Sequence, residues 1–259
     1  DSGEYMPWYM TGPSSQLALD QRGDDSKSVT FDGELLQEPL EILGTPRVEL
    51  VVTPSTSSGL IATRLCDVWP HGASTLICYG VLNLAQRDGK DTPVAMNPGA
   101  TYRVRVRLND TGYRVAPGHR LRLSISTSYW PMAWPTPDAA SLMLDTKSSH
   151  IELPVLETSE SPDLQPFEPP RTPPPIEMTT LQPTRQERTI THDVETGEIT
   201  FALVKDGGCV RLHHNNIEMA SGTTERYTIR DDDPLSARAE YSCEYGIGRG
   251  AWQTRTSGR

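Results

Sequence analysis

The chain of 259 residues is long enough for one large or two medium domains, and its hydrophobic fraction of 36% can supply a β-rich core. Its formal net charge of −10 argues against a general nucleic-acid binder, which needs a basic surface to displace counterions from phosphates. The sequence has no apolar run of about 18 residues, so it predicts no membrane span.

The first 157 residues carry the pattern of short antiparallel strands. Strands are predicted at 47–52, 60–68 and 74–85. The segment WPHGA at 69–73 joins the last two as a hairpin turn, because proline fixes φ and glycine permits a positive φ.

Two further stretches, 101–108 and 119–126, alternate between apolar and polar residues. This alternation is typical of antiparallel strands with one buried and one solvated face. The default interpretation of the polar face is ordinary solvated surface, and the alternative is a docking face for an acidic neighbour such as the chain's own linker or tail. The residues expected to point outward are Arg103, Arg105, Arg107, Arg120, Arg122 and Ser124.

Short strands at 141–145 and 150–155 end this zone. The zone then has about eight to ten strands and no long helix, a count typical of a jelly-roll. The fold class expected for residues 1–157 is therefore an all-β sandwich of jelly-roll type.

Nine prolines fall between Pro154 and Pro183, so a proline-rich linker is predicted over 158–185. It is either a stiff strap laid over a surface or a free spacer. Residues 186–259 alternate again and predict a smaller antiparallel β domain with turns at 195–197 and 206–208. The alternation continues into the last residues, which leaves open that this unit is truncated.

A search for catalytic chemistry finds no G-x-S-x-G elbow, no HExxH pair and no phosphate-binding loop. No catalytic residue is assigned within the chain, and no cofactor or metal is expected. The adjacent His213 and His214 would point to opposite faces of a strand, and the acidic run 231–233 is interpreted as a turn.

The four cysteines are too sparse for a disulfide scaffold and form no CxxC pair. Cys66 and Cys78 could face each other across a hairpin, but two buried free thiols are the favoured interpretation. Free thiols are typical of a reducing compartment, so a cytoplasmic location is expected.

Several separated motifs of the first zone resemble those of one hydrolase family. They are a D-Q-R followed by acidic residues (19–36), a P-L-E-hydrophobic-x-G strand (39–52), a D-V-x-P-x-G turn (65–82) and a closing G-H-R-L-R-L-x-I-S strand (97–126). The zone resembles the C-terminal non-catalytic domain of the X-prolyl dipeptidyl-peptidase and cocaine-esterase (CocE/NonD) hydrolases. His71 departs from the family's usual Asp in the turn, and residues 186–259 resemble only weakly a tail that some relatives carry.

The resemblance implies a galactose-binding-like jelly roll that packs on an N-terminal α/β-hydrolase domain of the same polypeptide. That domain would hold the Ser-Asp-His triad and cleave esters, amides or X-Pro peptides through an acyl-enzyme. No triad position can be carried over to this chain, and the resemblance leaves the oligomeric state open. A carbohydrate-binding module is the alternative function, because such sandwiches often host sugar sites. A self-sufficient hydrolase ranks third.

Two aromatic segments are candidates for the interface with the hydrolase domain or for ligand contact. One contains Trp8 and Tyr9, and the other contains Tyr129, Trp130 and Trp134. The competing interpretation is that these rings fold back over the ends of the sandwich.

Four residues of the family motifs are assigned structural roles. They are Asp67 and Gly72 in the hairpin turn motif, and His119 and Arg120 at the start of the closing strand. A structural imidazole that bonds to loop backbone is the favoured interpretation of His119, and direct ligand contact is the alternative.

Overall fold

The computed structural model describes residues 20–156, 168–169 and 171–259, and the chain divides into two compact units, Asp1–Ser159 and Glu160–Arg259. Nearly all regular structure in the described residues is antiparallel strand, which confirms the all-β prediction. Among these residues no helix is long and apolar enough to span a membrane.

The described residues of the first unit form ten strands, within the predicted eight to ten. A four-residue helix, α1 (Arg22–Asp25), precedes the strands, and a 3-10 turn at Leu84–Gln86 follows the fifth. The strands are β1 (Val29–Asp32), β2 (Leu40–Gly44), β3 (Arg47–Pro54), β4 (Leu60–Val68), β5 (Ser74–Asn83), β6 (Tyr102–Arg107), β7 (Thr111–Val115), β8 (Arg120–Ser126), β9 (Leu142–Leu144) and β10 (His150–Glu152).

These strands build two sheets and a two-stranded ribbon. One sheet has the order β1-β8-β4-β5, the other has the order β10-β3-β6 with β9 also paired to β3, and β2 pairs with β7. Buried side chains of both sheets meet in one core cluster, which includes Leu50 of β3, Leu65 of β4 and Val104 of β6. Because two sheets enclose one core, the unit is a β-sandwich.

The local sequence patterns predicted β6 and the hairpin turn correctly. Val104 and Val106 are buried, while the alternating Arg103, Arg105 and Arg107 are exposed. In the turn between β4 and β5, the Trp69 amide donates to the Ala73 carbonyl over 2.9 Å, and Gly72 has a φ of 91°.

The default prediction of a solvated outer face on β8 is wrong for Arg122 and Ser124. Ser124 is 1% exposed and the Arg122 side chain is 21% exposed, whereas Arg120 is exposed. The segment around α1 covers this face, and the Ser124 hydroxyl donates to Oδ1 of Asp25 over 2.7 Å. The acidic neighbour of this face therefore comes from the segment before β1.

The part of the second unit that the structure describes forms a six-stranded antiparallel sheet with the order β11-β13-β14-β15-β16, and β12 also pairs with β13. One face buries Ile199, Phe201, Leu203 and Ile229. The strands are β11 (Met178–Gln182), β12 (Arg185–His192), β13 (Glu198–Leu212), β14 (Glu218–Arg230), β15 (Asp233–Arg249) and β16 (Trp252–Gly258).

Two features of this unit differ from the sequence predictions. The predicted turn at 206–208 is wrong: β13 continues through it with a bulge, where the register with β14 shifts between Asp206 and Gly208. Gly208 has a φ of 67°, and a Cβ there would collide with the Gln182 carbonyl. In addition, β11 lies inside the segment predicted as a linker and pairs with the end of β13.

Candidate functional site

The aromatic segment after β8 is divided between the interior and the surface. Tyr129 and Trp130 are each 1% exposed, and Tyr129 packs against Leu60 and Ala62 with its ring 5.6 Å from that of Tyr79. Tyr129 therefore folds back onto the sandwich, and neither of the two buried rings is available to another surface. Burial also raises the pKa of Tyr129.

Trp134 is the exposed member of this segment. Its side chain is 58% exposed, and its ring meets that of Trp130 in a T-shaped contact with centroids 5.1 Å apart. The buried ring of Trp130 therefore supports the exposed ring of Trp134. This arrangement makes Trp134 suitable for contact with another surface. Trp8 and Tyr9, the other aromatic candidates, lie outside the described residues.

A buried acid–imidazole pair joins the end of β4 to the start of β8. His119 is 8% exposed, and its Nδ1 lies 2.7 Å from Oδ1 of Asp67, which is 2% exposed. The Tyr113 hydroxyl donates to Oδ2 of Asp67 over 3.0 Å. Burial and this bond to a carboxylate raise the pKa of Tyr113 to about 12.

Trp69, in the hairpin turn, lies against this pair. Its ring centroid is 4.8 Å from that of His119 and 5.6 Å from that of His71. Its Nε1 donates to the Thr75 hydroxyl over 3.0 Å, and 42% of the residue is exposed. The indole is therefore held in one orientation with part of its surface accessible.

The other two motif residues have simpler placements. Gly72 permits the positive φ of the turn, and a Cβ there would meet no atom within 4 Å, so its role is conformational. Arg120 is exposed at the first position of β8.

Sequence reasoning missed Trp69 and Tyr113 as partners of this site. The indole of the WPHGA turn was the available signal for Trp69. Tyr113 had no signal of its own, because it reaches Asp67 from a strand 46 positions further along the chain.

The geometry around His119 does not provide a nucleophile. Within the described ranges, the hydroxyl bonded to Asp67 is that of Tyr113, and no serine, threonine or cysteine side chain is hydrogen-bonded to the imidazole. A hydrolytic triad needs a hydroxyl or thiol nucleophile that is hydrogen-bonded to the histidine acting as general base. The described residues also contain no cluster of three or more His, Cys, Asp or Glu that could hold a metal ion.

A second buried polar group explains the D-Q-R and acidic motif. Arg64 of β4 is 1% exposed; its Nη2 lies 3.1 Å from Oδ1 of Asp25, and its Nη1 donates to Oε1 of Gln21 over 3.0 Å. Asp24 is also close, with Oδ2 at 3.9 Å from Nη1. The motif therefore fixes α1 on the outer face of the first sheet.

Arg122 of β8 extends this network towards β1. It donates two hydrogen bonds to Asp32, of 2.6 and 2.8 Å, and one of 3.2 Å to Oδ2 of Asp25. The bonds from Arg122 lower the pKa of Asp32, and in return the bonds to Asp32 raise the pKa of Arg122. We call Asp24, Asp25, Arg64 and Arg122 the buried ion network.

Comparison with known proteins identifies the family. The X-Pro dipeptidyl-peptidase C-terminal non-catalytic domain matches residues 3–192. This match covers more than half of the chain, so the chain belongs to that family, as the motif resemblance indicated.

Among curated proteins, cocaine esterase of Rhodococcus sp. (strain MB1 Bresler) is 28% identical over 120 residues, which are 46% of this chain and 20% of the esterase. The chain therefore spans about one fifth of the length of this relative.

Solved structures share the fold. An α-amino acid ester hydrolase superposes with a TM-score of 0.52 at 22% identity, covering 60% of this chain and 32% of the other. An aminopeptidase from a marine sediment archaeon, Thaumarchaeota archaeon, superposes with a TM-score of 0.53 at 19% identity, with the same coverage of 60% and 32%.

Proposed function

We propose that this chain is the non-catalytic region of a larger serine hydrolase of the α/β-hydrolase type. In that protein it packs on an N-terminal catalytic domain and helps to enclose an active site for esters, amides or X-Pro peptides. The observation that carries the proposal is the family match over residues 3–192, together with a relative of which the aligned 120 residues make up only 20%.

The chemistry of the described residues supports a role without catalysis. Asp67 and His119 resemble two parts of a triad, but the hydroxyl beside them belongs to Tyr113 and donates to Asp67, not to the imidazole. The Tyr113 pKa of about 12 keeps that hydroxyl protonated at neutral pH, where it is a poor nucleophile. The pair therefore serves to join β4 to β8.

Trp69 and Trp134 are the contact residues that we assign to the interface with the catalytic domain. Both indoles are substantially exposed, at 42% and 58%, and each rests on a buried ring. Tryptophan is enriched at the centres of interfaces, and a side chain already held in place loses less conformational entropy on association.

The test is association in trans between this chain and the separately expressed catalytic region of the same protein, measured by isothermal titration calorimetry. Trp69→Ala and Trp134→Ala are each expected to weaken binding by about tenfold or more. Trp252→Ala is the matched control, because Trp252 is 57% exposed in the second unit. A control variant that binds as weakly as the two test variants would refute the interface assignment.

Turnover measurements test the non-catalytic role separately. The isolated chain is expected to leave 4-nitrophenyl acetate intact, whereas the parent protein should hydrolyse it and lose activity with a fluorophosphonate. Hydrolysis by the isolated chain that the same reagent abolishes would overturn the proposal.

We also propose a cytoplasmic location. Cys66 and Cys78 are buried free thiols, and Cys209 and Cys243 are free as well. Free thiols persist in a reducing compartment.

A further inference from the structure

An apolar groove opens along one side of the sandwich. It lies between β1, at the edge of one sheet, and β9 and β10, at the edge of the other. Two cavities of about 400 and 600 Å³ make up the groove. They lie side by side, because both are lined by Phe31, Leu50, Ile125, Leu144 and Thr146.

Core residues form the floor and walls of this groove. Leu50 and Leu65, each 1% exposed, lie at its base. The walls are aliphatic side chains that belong to the core and yet stay partly accessible, namely Leu121, Leu123, Ile125, Leu144, Ile151 and Leu153. The groove is thus an opening into the hydrophobic core and not a shallow surface patch.

The short edge strands explain why the sandwich is open here. β9 and β10 have three residues each, and the loop between them interrupts the edge of the second sheet. In the gap, the Ser149 hydroxyl accepts a hydrogen bond from the Val51 amide and donates one to the Asp145 carbonyl. β1, on the opposite side, has only four residues.

Two polar side chains of the groove, Asp32 and Ser149, already have hydrogen-bond partners. Arg122 donates two hydrogen bonds to Asp32, and Ser149 both donates and accepts within its loop. A peptide backbone between the two sheets would have to bury amide and carbonyl groups without partners, which is unfavourable. A hydrocarbon chain has no such groups, so it fits these walls better than a polypeptide segment.

We propose that this groove binds a single linear hydrocarbon chain, such as an alkyl or acyl chain, and leaves the polar end of the ligand in solvent at the rim. The two volumes lie within the range of roughly 300–1,000 Å³ that is usual for small-molecule sites. The exposed Val29 and Phe31 extend the apolar surface at the rim. Residues of the sandwich alone form this site, so the proposal does not rest on the function proposed above.

The first test is calorimetric titration of the chain with sodium alkanoates from hexanoate to dodecanoate, each below its micelle concentration. If the chain enters the groove, affinity is expected to rise about fourfold for each added methylene until the groove is filled, and then to level off. The absence of saturable binding, or an affinity that does not depend on chain length, would overturn the proposal.

Two adjacent residues of β9 provide a matched pair of variants. Leu144 lines the groove, whereas Met143 is 74% exposed and points to the other side of the strand. Leu144→Trp fills the groove and is expected to weaken decanoate binding about tenfold, while Met143→Trp leaves it unchanged. Equal losses in both variants would place the ligand elsewhere and refute the site.

A third variant keeps the test decisive if Leu144→Trp does not fold. Phe31→Trp puts a fluorophore at the rim of the groove without changing its floor. Dodecanoate brominated along its chain should quench this added fluorescence saturably, relative to the unsubstituted protein. Unaltered fluorescence at alkanoate concentrations that saturate the calorimetric signal would contradict binding in the groove.

Discussion

Nδ1 of His119 lies 2.7 Å from Oδ1 of Asp67, although 52 positions separate the two residues in the chain. The pair connects the beginning of β8 to the end of β4, beside the hairpin turn that carries Trp69. Both side chains are nearly inaccessible to solvent, so each depends on the other to satisfy its polar atoms.

His119→Ala is expected to reduce the free energy of unfolding of the sandwich by about 3 kcal/mol, because the buried Asp67 would lose its imidazole partner and keep the hydrogen bond from Tyr113. Urea denaturation followed by circular dichroism measures the loss. The control is His71→Ala, which removes an exposed imidazole from the same turn and should change stability by less than about 0.5 kcal/mol. Similar losses in both variants would show that the pair with Asp67 is not the cause.

Arg64→Met is expected to cost about 3–5 kcal/mol, because Asp24 and Asp25 would lose a buried guanidinium of matching shape. The segment around α1 should then detach more readily from the sheet. Limited trypsin digestion at Arg22 or Lys27 reports this release as faster cleavage. Arg103→Met, on the exposed face of β6, serves as the control and should leave the cleavage rate unaltered.

Gly80→Ala and Gly72→Ala should differ in their effects on stability. A Cβ at Gly80 would collide with the backbone carbonyl of Arg107, so we expect a loss of about 3 kcal/mol. At Gly72 no atom is close and only the positive φ is unfavourable, so we expect about 1 kcal/mol. Thermal unfolding of both variants checks the order, and a larger loss at Gly72 would contradict the packing argument.

The four thiols should react in two groups with 5,5′-dithiobis(2-nitrobenzoate) at pH 8. Burial raises the pKa of Cys66 and of Cys78 to about 12, so both remain protonated and inaccessible in the folded protein. Cys209 and Cys243 are only half-buried and should react quickly. Two fast equivalents in the native state and four after unfolding are expected, and four fast equivalents would mean that the core is not closed over Cys66.

Asp32→Asn should destabilise the protein at neutral pH but not at low pH. Hydrogen bonds from Arg122 lower the folded-state pKa of Asp32, so its contribution is present above the unfolded value of about 3.9 and disappears as the pH falls through the folded value. Because the side chain is 37% exposed, we expect less than about 1 kcal/mol at pH 7.

Urea denaturation of the Asp32→Asn variant at pH 7, 4 and 3 measures this dependence. The exposed Asp91 supplies the control: Asp91→Asn should change the free energy of unfolding at pH 7 by less than about 0.5 kcal/mol. A loss in Asp32→Asn that stays constant down to pH 3 would mean that the ion pair with Arg122 does not contribute.

The strands whose burial follows from local alternation could be predicted from the sequence. In β6 the buried valines and exposed arginines occupy the positions that a period of two assigns to them. The motifs of the first zone also indicated the family. Local sequence was sufficient for these features because each depends on residues that are neighbours in the chain.

Features that depend on distant pairing could not be predicted in this way. Ser124 has the local pattern of an exposed residue, and it is buried only because Asp25 lies 99 positions earlier and returns to cover it. The segment 206–208 has the Asp-Gly-Gly composition of a turn. It forms a bulge instead, because β13 pairs with β11 and β14 on either side of it. Tyr129 is interior for the same reason, since its neighbours Leu60 and Tyr79 come from other strands.

The position of β8 has a consequence for biosynthesis. It lies between β1 and β4 in its sheet, although it is the last of those four strands to leave the ribosome. A nascent polypeptide that ends before residue 120 can form the hairpin of β4 and β5 but has no strand to join it to β1, and its Asp25 has neither Ser124 nor Arg122 to meet. Cotranslational assembly of this layer must therefore wait for β8, as the high sequence separation of its contacts requires.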